Sequence, residues 1–214
     1  MQRAPGKTFD AASFLISICP EKRAVRFAEK EIIFSKGERS DSIFYIEKGM
    51  VKLTVTSRQG KEAIIGVFSR GDFFGESCIA DDQPTRFHNA VALTDLRALK
   101  IDRSSIMRTL LERSDACYGF LTHILRCNAR IQDDLVNNLL DSSEERLARA
   151  LVLLARSGKV EPSARISQQT LAEMIGTTRQ RVNVLMQRFR RSGLIEYGRG
   201  LEVRESLRTI LRND

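Results

Sequence analysis

Apolar and polar positions alternate with three different periods along the chain. Between residues 29 and 101 the apolar runs are short, and they either alternate or run on without a break. EIIF (31–34), SIFYIE (42–47), MVKLTV (50–55), AIIGVF (63–68) and LRALKI (96–101) are the clearest. They are rich in β-branched and aromatic residues, with Gly37, Gly49, Gly60 and Gly71 in turn contexts between them. Such runs predict strands, and several short strands with glycine turns predict a β-sandwich or small β-barrel. The 11 phenylalanines of the chain suit its core.

The period then becomes helical. From 104 to 140 there is no proline and one glycine, Gly119, so one long helix is expected. Positions 117, 121, 124, 128, 131, 135 and 138 carry Cys117, Leu121, Ile124, Asn128, Ile131, Leu135 and Asn138. Five of these seven are apolar at the 3-4 spacing of a two-helix seam, in which Asn128 would cost stability but fix register. An amphipathic helix lying on its own domain would show the same stripe. The polar flank of Arg126, Arg130, Gln132, Asp133 and Asp134 permits either arrangement.

Residues 141 to 214 change character again. DSSEERLARALVLLAR reads as a capped helix starting at Asp141 or Ser142. Glu144 and Glu145 stand in its first turn, and Leu147, Leu151 and Leu154 form its stripe. After the loop GKVEPSA, residues 167 to 203 have the spacing of a helix-turn-helix. Leu171 and Ile175 face inward on the first helix, Ala172 permits a close crossing, and Gly176 supplies a left-handed turn. Thr178 is the natural N-cap of the second helix, whose inner face is Val182, Leu185, Met186 and Phe189.

That inner face leaves Gln180, Asn183, Val184 and Gln187 outside, with Arg179 at the helix start and Arg181 and Arg188 flanking. Arginine binds guanine bidentately in the major groove, Asn and Gln suit adenine, and Val touches a thymine methyl. Arg188, Arg190 and Arg191 continue the positive charge toward phosphates, where Arg181 can help. LIEY-GRG-LEV then forms a tight hairpin, a wing with Arg199 at its tip. A helical hairpin with a solvated arginine face would share the charge. It would not explain the agreement of Ala172, Gly176, the inner apolar positions and the wing.

Net charge points the same way. The formal charge of +8 is uneven: residues 141–214 hold 14 Lys/Arg against 9 Asp/Glu, which implies a polyanionic partner, nucleic acid before membrane. No run approaches 18 apolar residues, and residues 1–20 mix charge, proline and glycine. Neither a membrane span nor a signal peptide is therefore expected, and the location expected is cytoplasmic. Cys19, Cys78, Cys117 and Cys127 lack the spacing of a metal site, so buried or idle thiols are expected. With two histidines, His88 and His123, no H-x-H, no P-loop and no GxGxxG, an enzyme is not expected.

The order β-roll, long helix, winged helix-turn-helix resembles the Crp–Fnr superfamily of bacterial transcription regulators over nearly the whole chain. Gly37, Gly49, GDFFGE (71–76) and LAEMIGTTRQRV (171–182) carry the resemblance, and GTTRQRVNVLMQRFRRSGLI resembles a subgroup with GTTR-x-RV recognition helices. It implies an α+β chain in three parts. These are a cyclic-nucleotide-binding-like jelly roll over 1–103, a dimerisation helix over 104–140, and a winged helix-turn-helix over 141–214. It also implies a homodimer on a palindromic DNA site, with RNA polymerase as a further partner.

In cyclic-AMP-binding members a Gly-Glu pair, and an Arg-Ser about ten residues later, hold the ribose hydroxyl and the cyclic phosphate. Gly75, Glu76 and Arg86 match here, but Phe87 replaces the serine and the adenine-contacting threonine falls on Ile131. The resemblance thus implies an altered or plugged pocket, with another small effector or none in place of cyclic AMP. Relatives that sense through iron–sulfur clusters need an N-terminal cysteine cluster, where only Cys19 stands. Haem sensing would rest on His88 alone. The competing function is a ligand-binding module whose winged domain recruits protein partners.

Overall fold

The computed structural model describes residues 21–57, 60, 62–79, 84–156, 166–197 and 201–211. Eight strands build the N-terminal part: β1 (Lys22–Phe27), β2 (Ile32–Phe34), β3 (Ser42–Lys48), β4 (Met50–Thr56), β5 (Glu62–Ser69), β6 (Phe73–Phe74), β7 (Asn89–Ala92) and β8 (Leu96–Asp102). They pair antiparallel into two sheets, ordered β1-β8-β3-β6 and β2-β7-β4-β5. Phe34 from one sheet meets Phe44 and Phe74 from the other, with ring centroids 6.1 and 6.1 Å away; Phe44 and Phe74 are stacked at 4.9 Å. Apolar faces of both sheets close around this trio, as alternation along strands requires.

All five strands expected from the pattern are present. Three others escape it. β1 is an edge strand, mostly exposed and paired only with β8; β6 has two residues; β7 is NAVA, with two alanines. Each lacks the long β-branched alternation that marks a strand locally.

The single helix expected over 104–140 is two: α1 (Arg103–Glu112) and α2 (Ser114–Leu140), broken at Arg113 with φ −127° and ψ 106°. The Arg113 N–H still closes α1 on the Thr109 carbonyl at 3.1 Å. Its guanidinium then grips Asp115 at 2.7 and 3.1 Å, while Asp115 Oδ1 accepts from the Ala116 N–H at 2.9 Å in the first turn of α2. The break lets α1 stay on the roll through Ile106, against Ile43, Ile101, Phe73 and Cys78, while α2 starts in a new direction.

Most of the expected seam stands in solvent. Cys117, Leu121, Asn128, Ile131 and Leu135 are exposed, but Ile124 is half-buried. The first half of α2 leans on the roll, with Phe120 and His123 edge-on to Phe73 at 6.4 and 5.1 Å. The exposed apolar stripe instead takes in Tyr118, Leu125 and Leu139.

α3 (Ser143–Arg156) begins with a reciprocal cap. Ser142 Oγ accepts from the Glu145 N–H at 3.3 Å, and Glu145 Oε2 accepts from the Ser142 N–H at 2.8 Å. Then follow α4 (Gln168–Met174), α5 (Arg179–Arg191), the antiparallel pair β9 (Ile195–Tyr197) and β10 (Leu201–Val203), and a closing 3-10 turn, Glu205–Ile210. Leu147, Leu151 and Leu154 bury against Leu171, Val182 and Phe189, and Met50 of the roll joins the same core. Lys52 bridges the two parts, pairing with Glu62 at 3.0 Å and with Glu173 of α4 at 3.6 Å.

Gly49 turns β3 into β4 at φ 93°, and a Cβ there would strike the Asp95 carbonyl and come within 2.9 Å of Leu96 Cα. Gly37 has a similar φ of 87° but open space around it. Gly49→Ala should therefore cost about 2–4 kcal/mol and Gly37→Ala only about 1–2 kcal/mol, read by chemical denaturation. Equal losses would mean that the close approach at Gly49 carries no weight.

Candidate functional site

The helical pair α4–α5 is set by its turn. Gly176 takes φ 64°, and the Thr177 N–H donates to the Ala172 carbonyl at 3.0 Å. Thr178 then caps α5 from an extended conformation, its Oγ1 accepting from the Arg181 N–H at 3.2 Å. Val182, Leu185, Met186 and Phe189 are 0–3% exposed, so the rotation of α5 about its own axis is fixed by packing.

Every remaining candidate lies outside. Arg179, Gln180, Arg181, Asn183, Val184, Gln187 and Arg188 are exposed, and Val184 shows 54% of its surface, an apolar side chain left in water on a basic face. The outer groups are not all unengaged. Arg188 pairs with Glu144 of α3 at 2.7 Å, so the cation expected to seek phosphate is here tied to the neighbouring helix. Gln168 Nε2 donates to Asn183 Oδ1 at 3.4 Å. Nothing in the local pattern points to Glu144 or Gln168, because both reach α5 from 15 or more residues away. Arg199 and the tip of the hairpin lie outside the described residues, as do Cys19 and the loop GKVEPSA.

In the roll, Arg86 and Gly75 are brought together. Arg86 is 3% exposed. Its Nη1 donates to the Gly75 carbonyl at 3.0 Å, and Nη2 donates to the Ser42 carbonyl at 2.8 Å and to Ser42 Oγ at 3.1 Å. The guanidinium lies 4.1 Å over the Phe34 ring. Gly75 has φ 82°, and a Cβ there would approach Arg86 Nη1 to 2.6 Å, so a glycine is required on two counts. Only Arg86 Nε is left without a partner.

Glu76 opens a short 3-10 turn, Glu76–Ile79, and forms no ion pair with Arg86. Burial raises its carboxyl above the usual glutamate range, against smaller opposing effects of a backbone hydrogen bond and the Arg86 charge. Beside it, Arg130 of α2 pairs with Asp72 at 2.9 Å and stands 5.6 Å from the Phe68 ring, a link the sequence offered only as a polar flank.

The expected plug is absent. Phe87 is 52% exposed and its ring meets His88 edge-on at 6.2 Å. Exposure alternates along Thr85, Arg86 and Phe87, so an inward arginine sends the phenylalanine outward. Ile131 is likewise on the outer face of α2, 59% exposed, and does not close over Arg86. A cavity of about 950 Å³ does open on the roll, lined by Arg23, Arg39, Asp41, Lys100, Asp102 and Arg103, but neither Glu76 nor Arg86 lines it. Among the described residues no cluster of three or more His, Cys, Asp or Glu could hold a metal. Burial pushes the Cys78 thiol up to about 11 and lowers His88.

Two family models match the chain: a cyclic nucleotide-binding domain over residues 24–113 and a Crp-like helix-turn-helix domain over residues 145–209. A cyclic AMP receptor protein of Thermus thermophilus is 30% identical over 177 residues, 81% of this chain and 80% of that protein. A CRP-like cAMP-activated global transcriptional regulator of Mycobacterium tuberculosis is 25% identical over 207 residues, 94% of this chain and 92% of that protein. Among solved structures, FixK2 from Bradyrhizobium japonicum matches with a TM-score of 0.75 at 18% identity, covering 89% of this chain and 97% of that one, a likeness of fold.

Arg86→Met should destabilise the roll by about 2–4 kcal/mol in chemical denaturation, because it removes three buried charge-assisted hydrogen bonds to Ser42 and Gly75. An unchanged or raised stability would mean that the arginine is kept for a ligand alone. For Glu76 the raised pKa favours the protonated form in the folded state. That stabilisation is full below the ordinary glutamate range and is lost as pH rises through the raised value. Glu76→Gln should remove this loss, giving a flatter stability profile from acid to neutral pH; a slope equal to that of the parent would assign it elsewhere.

Proposed function

We propose that this chain, which belongs to the Crp–Fnr superfamily of transcription regulators, pairs with a second copy and reads a two-fold symmetric DNA site without requiring cyclic AMP. The observation that carries the reading is the outer face of α5. Four buried apolar residues lock the helix, and what they leave in solvent is Arg179, Gln180, Asn183, Val184 and Gln187. These are groups for guanine, adenine and the thymine methyl. Arg181, Arg190, Arg191 and Arg199 serve the phosphates, and Arg188 joins them by exchanging Glu144 for the DNA backbone.

The exposed stripe along α2, with Leu121, Asn128 and Leu135 at its centre, supports pairing of two copies. Two recognition helices then enter major grooves about one helical turn, roughly 34 Å, apart. RNA polymerase is the partner through which a regulator so placed acts. The location proposed is the cytoplasm, and no helix among the described residues is long and apolar enough to cross a membrane.

Independence from cyclic AMP follows from Arg86. Three of its five N–H groups already donate to Gly75 and Ser42, which leaves fewer for a cyclic phosphate. Phe87 offers no hydroxyl in return. The effector is another small molecule or none. Any signal from the roll would travel as a population shift through α2, where Arg130 holds Asp72.

Fluorescence anisotropy on a pool of palindromic sites, at two salt concentrations and with or without cyclic AMP, tests the reading. Selective binding should fall steeply with salt and ignore the nucleotide. Arg179→Ala should lose about 1–3 kcal/mol of base preference, whereas Arg199→Ala should weaken all sequences alike. Uniform weak binding insensitive to salt would favour a domain that recruits proteins, and binding only with cyclic AMP would overturn the effector assignment.

A further inference from the structure

We infer that Gln168 sets the base preference of Asn183 by fixing which end of the Asn183 amide faces the DNA. The inference rests on the reading that α5 enters the major groove. Gln168 is the first residue of α4, directly after the N-cap Ser167, whose Oγ accepts from the Thr170 N–H at 3.0 Å. Asn183 stands in the second turn of α5, on the exposed row with Gln180 and Gln187. Leu171 and Ala172 of α4 pack in one buried cluster with Val182 and Met186 of α5, so the separation of the two amides is set by core packing. Across it, Gln168 Nε2 donates to Asn183 Oδ1 at 3.4 Å.

A carboxamide is two-ended: its oxygen only accepts and its nitrogen only donates. An asparagine free to turn reads acceptor and donor edges with equal ease. Gln168 is two-ended as well, and a phosphate oxygen, which only accepts, is what holds its nitrogen forward; with Oδ1 engaged by that nitrogen, Asn183 turns its two Nδ2 N–H groups outward. The same arrangement suits the DNA backbone, because the Gln168 nitrogen has a second N–H to give a phosphate oxygen while its first holds Asn183.

A donor facing the groove finds acceptors on guanine (N7, O6), adenine (N7) and thymine (O4). Cytosine presents an amino donor there. The base that faces Asn183 is therefore selected against cytosine. The adenine preference usual for asparagine is kept only through N7, and it is not distinguished from guanine by this residue.

The test is competition anisotropy with all four bases placed in turn at each half-site position, using the full chain, Gln168→Ala, Gln168→Glu and Asn183→Ala. Asn183→Ala marks the position read by this residue. There the parent should disfavour cytosine about tenfold, a single lost contact of roughly 1.4 kcal/mol. Gln168→Ala should remove that discrimination and leave other positions alone. Gln168→Glu is the decisive variant: a carboxylate accepts from Asn183 Nδ2, turns Oδ1 outward, and should invert the preference toward cytosine and adenine. Its added charge would weaken all sites together, leaving the ratio readable. Preferences shared by the parent and both Gln168 variants would overturn the inference, as would a uniform loss of affinity in Gln168→Ala, which would make Gln168 a phosphate contact only. A parent that selects no sequence would instead overturn the DNA reading on which this rests.

Discussion

A guanidinium held at 3% exposure must find its hydrogen bonds inside the protein, and Arg86 finds them along one sheet of the roll while its plane lies on the other. Its side chain reaches Ser42 on β3 and the Gly75 carbonyl after β6, and it lies on Phe34 from β2 in the opposite sheet. Its own backbone donates to the Glu38 carbonyl at 2.9 Å and accepts from the Gly37 N–H at 2.8 Å. One residue thus ties the edge of the sandwich to its centre. Burial disfavours the charge, and Asp41, Glu38 and Glu76 help to offset that cost. Arg86 thus fastens the roll, and Phe87, its neighbour on the strand-like stretch, is turned outward.

The DNA-facing end is built on the opposite principle. Its chemistry needs polar groups in water, so the fold spends its apolar residues on orientation. Phe189, Val182 and Leu151 hold α5 against α3 and α4, and the side chains that contact a partner are left with few internal bonds. The engagements that do exist, Arg188 with Glu144 and Gln168 with Asn183, are exposed and polar. An exposed ion pair such as Arg188 with Glu144 exchanges for another partner at small cost, whereas the buried face does not move.

Between the two ends the connections are also polar. Arg149 pairs with Asp141 at 3.0 Å, and Arg146 donates to the Asn138 carbonyl at 2.9 Å, bracing the elbow from α2 to α3. Lys52 joins Glu62 of the roll to Glu173 of α4, beside Met50 and Leu93, which pack into the core of the C-terminal part. An apolar elbow would fix one angle between sensor and reader. A braced polar one holds an angle that modest free energies can change.

Much of this was legible from periodicity. The five expected strands, the Ser142–Glu145 cap, the buried stripe of α3 and the inner and outer faces of α5 are local patterns, because neighbours three or four residues apart on a helix, or two apart on a strand, share a face whatever surrounds them. The short strands β6 and β7, the break at Arg113 and the contact of Phe120 with Phe73 were not legible, since each depends on what another element presents there. The Gly-Glu and Arg motifs could be located by spacing, but not the direction in which Arg86 points. The sequence alone therefore determined which residues lie on the outer face of α5 and where the Gly-Glu and Arg motifs stand. Only the tertiary structure decided that Arg86 is spent on Ser42 and Gly75, that Phe87 leaves the pocket, and that Gln168 holds Asn183, because hydrogen bonds between residues 11 to 44 positions apart are chosen by packing and not by local pattern.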